Sequence, residues 1–285
     1  MVRKFVDAHT HVWFEQTISN EMRKRKEVVG LRVPEFAVED ILKQMDEASL
    51  EYITIIAYPS RELWGTKEDF PLKIIQVCKK YPDRFAVIGG VEVNRLSVKE
   101  TKMWLEKQYE AGVSGFKVHP CHMWLKPNDY REEERGLKQL ELLYEFAQSN
   151  NLTVVIHTGT SIFLNARNKY ADPIFVDDVS VDFPKLNIII AHAGRPNWVS
   201  TAFQLIRIRK NIYTDLSSIP PKRVLDYLPR LEQISQKALY GSDFGGPDVQ
   251  SLASNLREFL GLPLSNLAAE KITRDNARNL IKPLG

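Results

Sequence analysis

Short apolar runs rich in β-branched residues alternate along the chain with longer segments in which apolar residues recur at helical spacing. Unbroken apolar runs of this kind are typical of strands in a parallel sheet that is covered on both faces. Helical spacing is clearest at Val38, Ile41, Leu42 and Met45, which would share one face of a helix. The pattern predicts strands at residues 4–12, 52–58, 85–93, 115–119, 152–157, 187–192, 212–216 and 237–243. It predicts helices at residues 38–48, 71–81, 98–111, 132–150, 173–183, 197–209, 222–235 and 249–260, with Ser97 and Asp248 as start signals before the third and the last of these.

This alternation of strand and helix continues through the whole sequence without a break in composition. Eight such units predict an α/β fold, a single-domain (β/α)8 TIM barrel over residues 1–285, rather than a doubly wound open sheet. Residues 14–36 are too long for an ordinary loop after a strand, and we expect them to form a partly helical lid over the site. Residues 267–281 are expected to add a C-terminal helix on the outside of the barrel.

Composition argues against several classes of protein. Hydrophobic residues make up 44% and charged residues 26% of the 285 residues, as in ordinary globular proteins. The net charge of +3 is too small to indicate a nucleic acid or a membrane surface as partner. Cys78 and Cys121 do not make a disulfide framework, and no apolar run has the length of a transmembrane helix. The sequence begins with a strand rather than a signal peptide, so we expect a cytoplasmic protein with a small-molecule partner, and a homodimer by analogy with other barrels.

Histidines are concentrated where the predicted strands end. Five of the six are placed in this way, and an aspartate occupies the matching place in the eighth strand. Neutral imidazole is the commonest metal-binding side chain, so imidazoles gathered at one end of several strands indicate a metal site. The residues concerned are His9, His11, His119, His157, His192 and Asp243.

Strand geometry predicts how these side chains meet. Residues two apart in a strand point to the same side, so Asp7, His9 and His11 are expected to face the barrel interior together. In that position Asp7 could either hold a ligand histidine or make hydrogen bonds within the barrel core. Closure of the barrel would bring His157 and His192 to the same axis, at the carboxyl ends of the strands where barrel enzymes have their active sites.

Two or three imidazoles and one carboxylate suit Zn²⁺, with one position left open for water. A bound Zn²⁺ lowers the pKa of its water to about 7, so hydroxide forms at neutral pH. Asp243 is the candidate to take the proton of that water and pass it to the leaving group. His192 is the candidate to stabilise a developing oxyanion.

The strand-end segments also follow a familiar order along nearly the whole chain. They are Asp7-Ala-His-Thr-His11, His157, Ala191-His-Ala-Gly194, Gly241-Ser-Asp-Phe244 and the closing Asp275-Asn-Ala-Arg-Asn-Leu280. As a set they resemble the amidohydrolase superfamily, and most closely the amidohydrolase-2 branch of aminocarboxymuconate semialdehyde decarboxylase and related hydrolases and decarboxylases. The resemblance implies His9, His11, His157 and Asp243 as metal ligands, with His192 beside the metal as a catalytic or second-metal residue.

Lys117 in the fourth strand leaves the number of metal ions open. In binuclear members of the superfamily a lysine on this strand is carbamylated and bridges two metals, whereas the decarboxylase-like members are usually mononuclear. We therefore expect one Zn²⁺, or two if Lys117 is carbamylated, with other divalent metals as alternatives. Without carbamylation, Lys117 would bind the substrate as a cation. The metal-dependent DNases of the superfamily have a glutamate here, which argues against a nuclease.

Three further residues near strand ends are candidates for substrate binding: His119, Arg195 and Trp13. His119 could line the pocket or hydrogen-bond a loop carbonyl. Arg195 could bind a substrate carboxylate bidentately or form a surface salt bridge. Trp13, like Trp64 and Trp124, could wall the pocket or pack within a loop.

The residues support three hypotheses of function. The first is a metal-dependent hydrolase that uses a Zn²⁺-activated water on an amide, ester or lactone bond of a small, carboxylated molecule. The second is a non-oxidative decarboxylase on the same scaffold, in which the metal fixes the substrate carboxylate. The third is a catalytically silent barrel with a structural metal, which a site open to a pocket disfavours.

Overall fold

The computed structural model describes residues 4–29, 34–246, 249 and 251–285, without the side chains of residues 26–29. One sheet of eight strands follows the order of the sequence, and all neighbouring strands pair in parallel. The predicted single-domain (β/α)8 barrel is thereby confirmed as the fold. The strands are β1 (Phe5–Thr10), β2 (Leu50–Ile56), β3 (Phe85–Gly89), β4 (Gly115–Val118), β5 (Thr153–His157), β6 (Asn187–Ala191), β7 (Ile212–Asp215) and β8 (Ala238–Leu239).

Backbone hydrogen bonds between β1 and the segment after β8 close the barrel. Ala8 N donates to Tyr240 O at 2.9 Å, and Asp243 N donates to His9 O at 2.9 Å. Gly245 continues this seam with a φ of +88°, where a Cβ would lie 2.0 Å from the carbonyl oxygen of His11. Only glycine fits a positive φ with so close a backbone approach, so Gly245 holds the end of β8 against β1.

Helices surround the barrel and close its amino end. They are α1 (Asn20–Val29), α2 (Val38–Glu47), α3 (Phe70–Cys78), α4 (Val98–Ala111), α5 (Pro120–Met123), α6 (Lys138–Ser149), α7 (Phe175–Asp182), α8 (Val199–Ile208), α9 (Val224–Tyr227), α10 (Leu252–Leu260), α11 (Asn266–Glu270) and α12 (Asn276–Leu280). The start signal at Ser97 is confirmed, because the Ser97 hydroxyl accepts from Glu100 N and the Glu100 carboxylate accepts from Ser97 N.

Three helix predictions need correction. The helix predicted at 132–150 begins only at Lys138, after Gly136 adopts a φ of +59° that an α-helix does not allow. The helix predicted at 222–235 is broken after Tyr227, because Pro229 forces Leu228 out of the α-region. The helix predicted from 249 begins at Leu252, with Ser251 as its cap; the start signal expected at Asp248 falls outside the described residues.

Two apolar layers make up the core. Alternate strand residues point outward and pack under the helices, as do Ile53, Phe116 and Ile190. The other strand side chains fill the barrel interior: Val6, Ala8, Tyr52, Ile56, Ala86, Ile88, Val155, Ile189, Ala191 and Leu239, joined by Ala277 and Ile281 from the C-terminal segment. Because this interior is packed, a ligand can enter only at an end of the barrel.

The C-terminal segment lies across the amino ends of the strands, so its predicted position on the outside is wrong. Carbonyl oxygens of Leu280 and Ile281 accept from Thr153 Oγ1 at the start of β5 and from the Tyr52 hydroxyl inside the barrel. Ala277 and Ile281 are both fully buried there. The segment forms the floor of the barrel, because the interior leaves an apolar opening that this helix can cover.

Residues 14–36 contain the predicted helix, α1, but their described part does not lie over the cavity. Phe14 pairs with Phe36 at the base of the segment, and the ring of Phe36 packs 5.1 Å from that of Phe244. The Arg25 side chain reaches the Glu62 carbonyl in the loop after β2. None of the described residues of this segment lines the cavity, so the lid prediction is not met within them.

None of the described helices is both long enough and apolar enough to cross a lipid bilayer.

Candidate metal centre and active-site cavity

A cavity of about 610 Å³ opens at the carboxyl ends of the strands. This is the end at which barrel enzymes place their active sites, and the volume is typical of small-molecule sites. The predicted site residues in its lining are His11, Trp13, Lys117, His119, His157, His192, Arg195 and Asp243. His9 lies fully buried beneath them.

Three of the four predicted metal ligands lie together at the base of the cavity. Donor atoms of His9, His11 and Asp243 all lie within 4.8 Å of one another. Asp243 Oδ1 is 3.4 Å from His11 Nε2 and 3.8 Å from His9 Nε2. His9 Nε2 and Asp243 Oδ1 are buried without a hydrogen-bond partner among the described residues. Buried polar atoms are rarely left unpaired, so this trio fits a divalent cation.

The electrostatics of the trio agree with metal binding. Burial lowers the pKa of His11 to about 4, although Asp243 opposes the shift. Burial raises the pKa of Asp243, but the neighbouring His11 and His192 outweigh it and bring that pKa down to about 2. At neutral pH the site therefore offers a neutral His11 imidazole and an ionised Asp243, the forms in which both side chains bind metals.

Asp215, at the end of β7, is a site residue that the sequence analysis missed. Its Oδ2 lies 2.8 Å from His9 Nδ1, and its Oδ1 accepts from the backbone N–H groups of His192 and Ser217. Burial opposes ionisation of Asp215, yet His9 holds its pKa well below the usual range. A carboxylate on Nδ1 fixes the tautomer in which Nε2 is bare toward a metal. The available signal was an acidic residue at the end of an apolar strand, the same signal that identified Asp243.

His157 and His192 form a hydrogen-bonded chain beside the trio. His192 Nδ1 lies 3.0 Å from the Ser217 carbonyl, which can only accept, so Nδ1 carries the proton. His192 Nε2 is then an acceptor for His157 Nδ1, 3.1 Å away. That bond leaves His157 Nε2 bare, and it is buried without a partner among the described residues. His157 thus presents a lone pair as a metal ligand does, although it is not part of the group formed by His9, His11 and Asp243, whose donor atoms lie within 4.8 Å of one another.

The backbone at two of these residues adopts left-handed conformations. His192 has a φ of 65° and Asp243 a φ of 63°. Non-glycine residues pay roughly 1–3 kcal/mol for such conformations, which concentrate at functional sites. The hydrogen bonds around Asp215 and the β1–β8 seam hold these two side chains in place.

His119 lies in a stack of imidazoles that forms part of the cavity wall. Its ring is 3.7 Å from that of His122 at an interplanar angle of 4°, and 3.9 Å from that of His157 at 16°. His119, Cys121 and His157 have donor atoms close enough for a metal site. However, a metal–imidazole bond lies in the ring plane, and nearly parallel rings cannot direct both lone pairs to one ion about 2 Å away. We therefore place the metal with His9, His11 and Asp243.

Lys117 lies at the bottom of the cavity, almost completely buried, and its Nζ has no hydrogen-bond partner among the described residues. Burial lowers its pKa to about 8, against the attraction of Asp215 and Asp243. When protonated, such an amine can bind an anion; when neutral, it can react with CO₂. The geometry is compatible with both predicted roles.

The remaining candidates are divided between the cavity and its surroundings. Arg195 lines the cavity, donates to the Ser218 hydroxyl, and keeps a buried Nε without a partner in the described structure. Trp13 also lines the cavity, packing its ring 5.5 Å from that of Trp64. Trp124 is 44% exposed and stacks with Arg167, so it is no part of the described lining.

Strict alternation along β1 predicts that Asp7 shares a face with His9 and His11, but it does not. Val6 and Ala8 belong to the interior cluster, and the pairing register of β1 shifts between Asp7 and Thr10. Asp7 Oδ1 instead accepts from the backbone N–H groups of His9 and Ser242, at 3.1 and 2.9 Å. The irregularity in β1 breaks the two-residue period, and Asp7 stabilises the seam between β1 and β8.

Comparison with solved structures finds the same fold in enzymes of several activities. An uncharacterized TIM-barrel protein from Bordetella bronchiseptica is 21% identical, with 98% of each chain covered and a TM-score of 0.74. A dihydroxybenzoic acid decarboxylase from Polaromonas sp. JS666, with bound manganese and the inhibitor 2-nitroresorcinol, is 14% identical, with 98% of this chain and 96% of that chain covered and a TM-score of 0.66. A 4-oxalomesaconate hydratase from Rhodopseudomonas palustris is 16% identical, with 96% of this chain and 94% of that chain covered and a TM-score of 0.66. At these identities the likeness shows the shared fold.

Sequence comparison supplies the family. Comparison with curated proteins finds no relative. The family model described as Amidohydrolase, that of the amidohydrolase-2 branch, matches residues 6–282, which contain all eight strands except the first residue of β1, and every residue of the site. The chain belongs to this metal-dependent amidohydrolase family.

Proposed function

We propose that this protein is a metal-dependent hydrolase that cleaves an amide, ester or lactone bond of a small carboxylated molecule. The observation that carries the proposal is the convergence of buried donor atoms on His9 and Asp243, beside His11, at the base of an open cavity; within the described structure these atoms have no hydrogen-bond partner. A structural metal site is closed off from solvent, whereas these residues face a cavity that Arg195 and Lys117 also line.

His9, His11 and Asp243 would hold the ion, with His157 as the fourth ligand through its bare Nε2. Imidazoles with one carboxylate favour Zn²⁺, and Mn²⁺ is an alternative that the dihydroxybenzoic acid decarboxylase structure contains. When bound, such an ion supplies Lewis acidity and a water of lowered pKa. One ion is proposed, and a second would require carbamylation of Lys117.

The protein residues supply proton transfer and binding. Asp243, whose pKa is held near 2, is ionised at neutral pH and can accept a proton at a carboxylate oxygen and pass it to a leaving group. Neutral His192 donates its only N–H to Ser217, so it has no proton to donate to an oxyanion. We assign it instead the role of hydrogen-bond acceptor, at Nε2, for His157 Nδ1. Arg195 would bind a substrate carboxylate, with Trp13 and Trp64 as an aromatic wall; all three residues line the cavity.

A decarboxylase is the second candidate. Lys117 supports it, because a buried cation next to the ligand trio can fix a substrate carboxylate at the reacting centre. The same fold in a dihydroxybenzoic acid decarboxylase is consistent with this reaction.

The test separates the two reactions and the role of the metal. Chelator-treated protein is reloaded with Zn²⁺ or Mn²⁺, and the bound ion is counted by elemental analysis. Esters, lactones and amides of aromatic and aliphatic acids are assayed for acid release, and hydroxybenzoates for CO₂ release. We expect acid release that depends on the ion and that falls by about 10³-fold or more in Asp243→Asn.

The matched control is Asp226→Asn, which changes an exposed aspartate paired with Arg223 on the surface and should leave the rate unchanged. CO₂ release without hydrolysis would transfer the assignment to the decarboxylase. Failure of the protein to take up either ion would overturn both assignments.

A further inference from the structure

Cys121 lies directly behind the cavity wall, in contact with His119. It is fully buried in α5, and its Sγ is 3.5 Å from His119 Nδ1. His119 itself lines the cavity, so its second ring nitrogen, Nε2, is the one available to a molecule there. The orientation of the His119 ring is already constrained by stacking against His122 on one face and His157 on the other.

The Cys121 thiol has one side-chain hydrogen-bond partner among the described residues, the Nδ1 nitrogen of His119. Burial raises the pKa of the thiol to about 12, so the thiol keeps its proton at neutral pH. A buried donor is rarely left without an acceptor, and the lone pair of a neutral imidazole nitrogen is the acceptor within reach of this proton.

We propose that Cys121 is a positioning residue that donates S–H to His119 Nδ1 and thereby holds His119 as a neutral donor, with Nε2–H directed at an acceptor oxygen of the bound substrate. Such an oxygen belongs to a carboxylate or a carbonyl group. His119 differs in this from His9, whose Nε2 is left bare by a carboxylate on Nδ1. Equivalent strand-end histidines thus become a ligand or a donor according to the group behind them.

The substrate-binding part of this inference rests on the proposed function, but the tautomer can be measured without a substrate. Zinc-loaded protein with ¹⁵N-labelled histidine is studied by long-range ¹H–¹⁵N correlation, and the His119 signals are assigned by their loss in His119→Gln. We expect the wild-type ring to carry its proton on Nε2. In Cys121→Ala the Nδ1 resonance should shift as its donor is lost, and in Cys121→Ser, which retains a hydroxyl donor, it should stay near the wild-type position.

Cys78→Ala is the matched control, because Cys78 is the other buried cysteine and lies in α3. It should leave the His119 signals unchanged. A wild-type His119 with its proton on Nδ1, or identical His119 signals in wild type and Cys121→Ala, would overturn the proposal. Either result is independent of which reaction the enzyme catalyses.

With a substrate identified, Cys121→Ala should raise KM by about tenfold or less with kcat within about twofold, as expected when one hydrogen bond to bound substrate is weakened. Cys121→Ser should restore most of the affinity. A loss confined to kcat would contradict the positioning role.

Discussion

His9 and Asp215 show how a single contact decides what a histidine can do. The imidazole is fully buried, and the carboxylate on its Nδ1 leaves a lone pair on Nε2, which lies 3.8 Å from Asp243 Oδ1 and has no hydrogen-bond partner among the residues that the structure describes. Without Asp215 the ring could adopt the other tautomer or rotate, and the metal would lose a preorganised ligand.

Asp215→Asn should therefore lower the affinity for Zn²⁺ by about 10- to 100-fold, because an amide can present N–H to His9 and favour the wrong tautomer. The measurement is a competitive titration against a chromophoric chelator. Asp226→Asn, at the surface, serves as the control. Equal affinities in wild type and Asp215→Asn would show that Asp215 does not prepare His9.

Arg195 belongs to the substrate side of the cavity. Its guanidinium donates to Ser218, and its Nε has no hydrogen-bond partner in the described part of the chain, so its donors are not all used within the protein there. Arg195→Met should raise KM for a carboxylate substrate by about 10- to 100-fold, since a charged hydrogen bond contributes about 1.5–3 kcal/mol.

The corresponding methyl ester, which has no charge to recognise, should lose much less in the same variant. Arg207→Met, which removes an arginine of α8 that lies over Phe203, is the matched control. A KM that rises equally for acid and ester would argue against carboxylate recognition by Arg195.

The C-terminal segment illustrates the limits of reading an element in isolation. Its apolar residues correctly indicated a helix that packs on the barrel. These residues point into the barrel interior at the amino ends of the strands. This orientation depends on the open end of the barrel, which no local pattern describes.

Ile281→Ala should destabilise the protein by about 2–5 kcal/mol, because it opens a cavity among fully buried side chains of the barrel floor. Urea unfolding gives the change in free energy, and Zn²⁺ affinity should be unaffected, since the metal centre lies at the other end of the barrel. Leu267→Ala, at a residue that is 63% exposed, should cost less than about 0.5 kcal/mol. Similar values for the two variants would contradict the floor assignment.

The errors at individual helices have local causes that were visible in the sequence. Pro229 stops the helix predicted at 222–235, and Gly136 delays the start of α6. Both residues interrupt a favourable hydrophobic period, and their backbone preferences end the helix where the period alone would continue it.

At the scale of the whole molecule, the concentration of neutral histidines makes the stability of the metal-free protein depend on pH. Burial lowers the pKa of His11 to about 4 and those of His122 and His192 to about 3, and it places those of His119 and His157 well below the usual value. An unfolded imidazole titrates near pH ~6.5.

Below pH ~6.5 each of these histidines gains a proton on unfolding, so their stabilisation is complete above that pH and is lost as the pH falls toward the folded pKa values. The loss is about 1.4 kcal/mol per pH unit for each histidine. Asp7 acts in the opposite direction, since burial raises its pKa to about 7 and its contribution falls as the pH rises from ~3.9 to that value. One such group against five histidines leaves a net loss on acidification.

The urea midpoint of chelator-treated protein should therefore decrease as the pH is lowered from about 6.5 to about 5. In His122→Phe, which keeps an aromatic ring in the stack, the free energy of unfolding should change with pH by a slope that corresponds to about one proton fewer. A stability that is constant over this interval would contradict the burial of neutral imidazoles.

The sequence by itself determined the strand order, the barrel and the chemistry gathered at one end of it, because apolar periodicity and the position of polar residues after strands are local properties of the chain. His9, His11 and Asp243 could be placed together on that basis alone, since the barrel brings strand ends to one axis. The tertiary structure decided the rest: the role of Asp215, the pairing of His157 with His192, the stack around His119 and the floor made by Ala277 and Ile281. Each of these depends on which side chains from distant strands meet, and on the irregular register of β1, which sequence spacing does not specify.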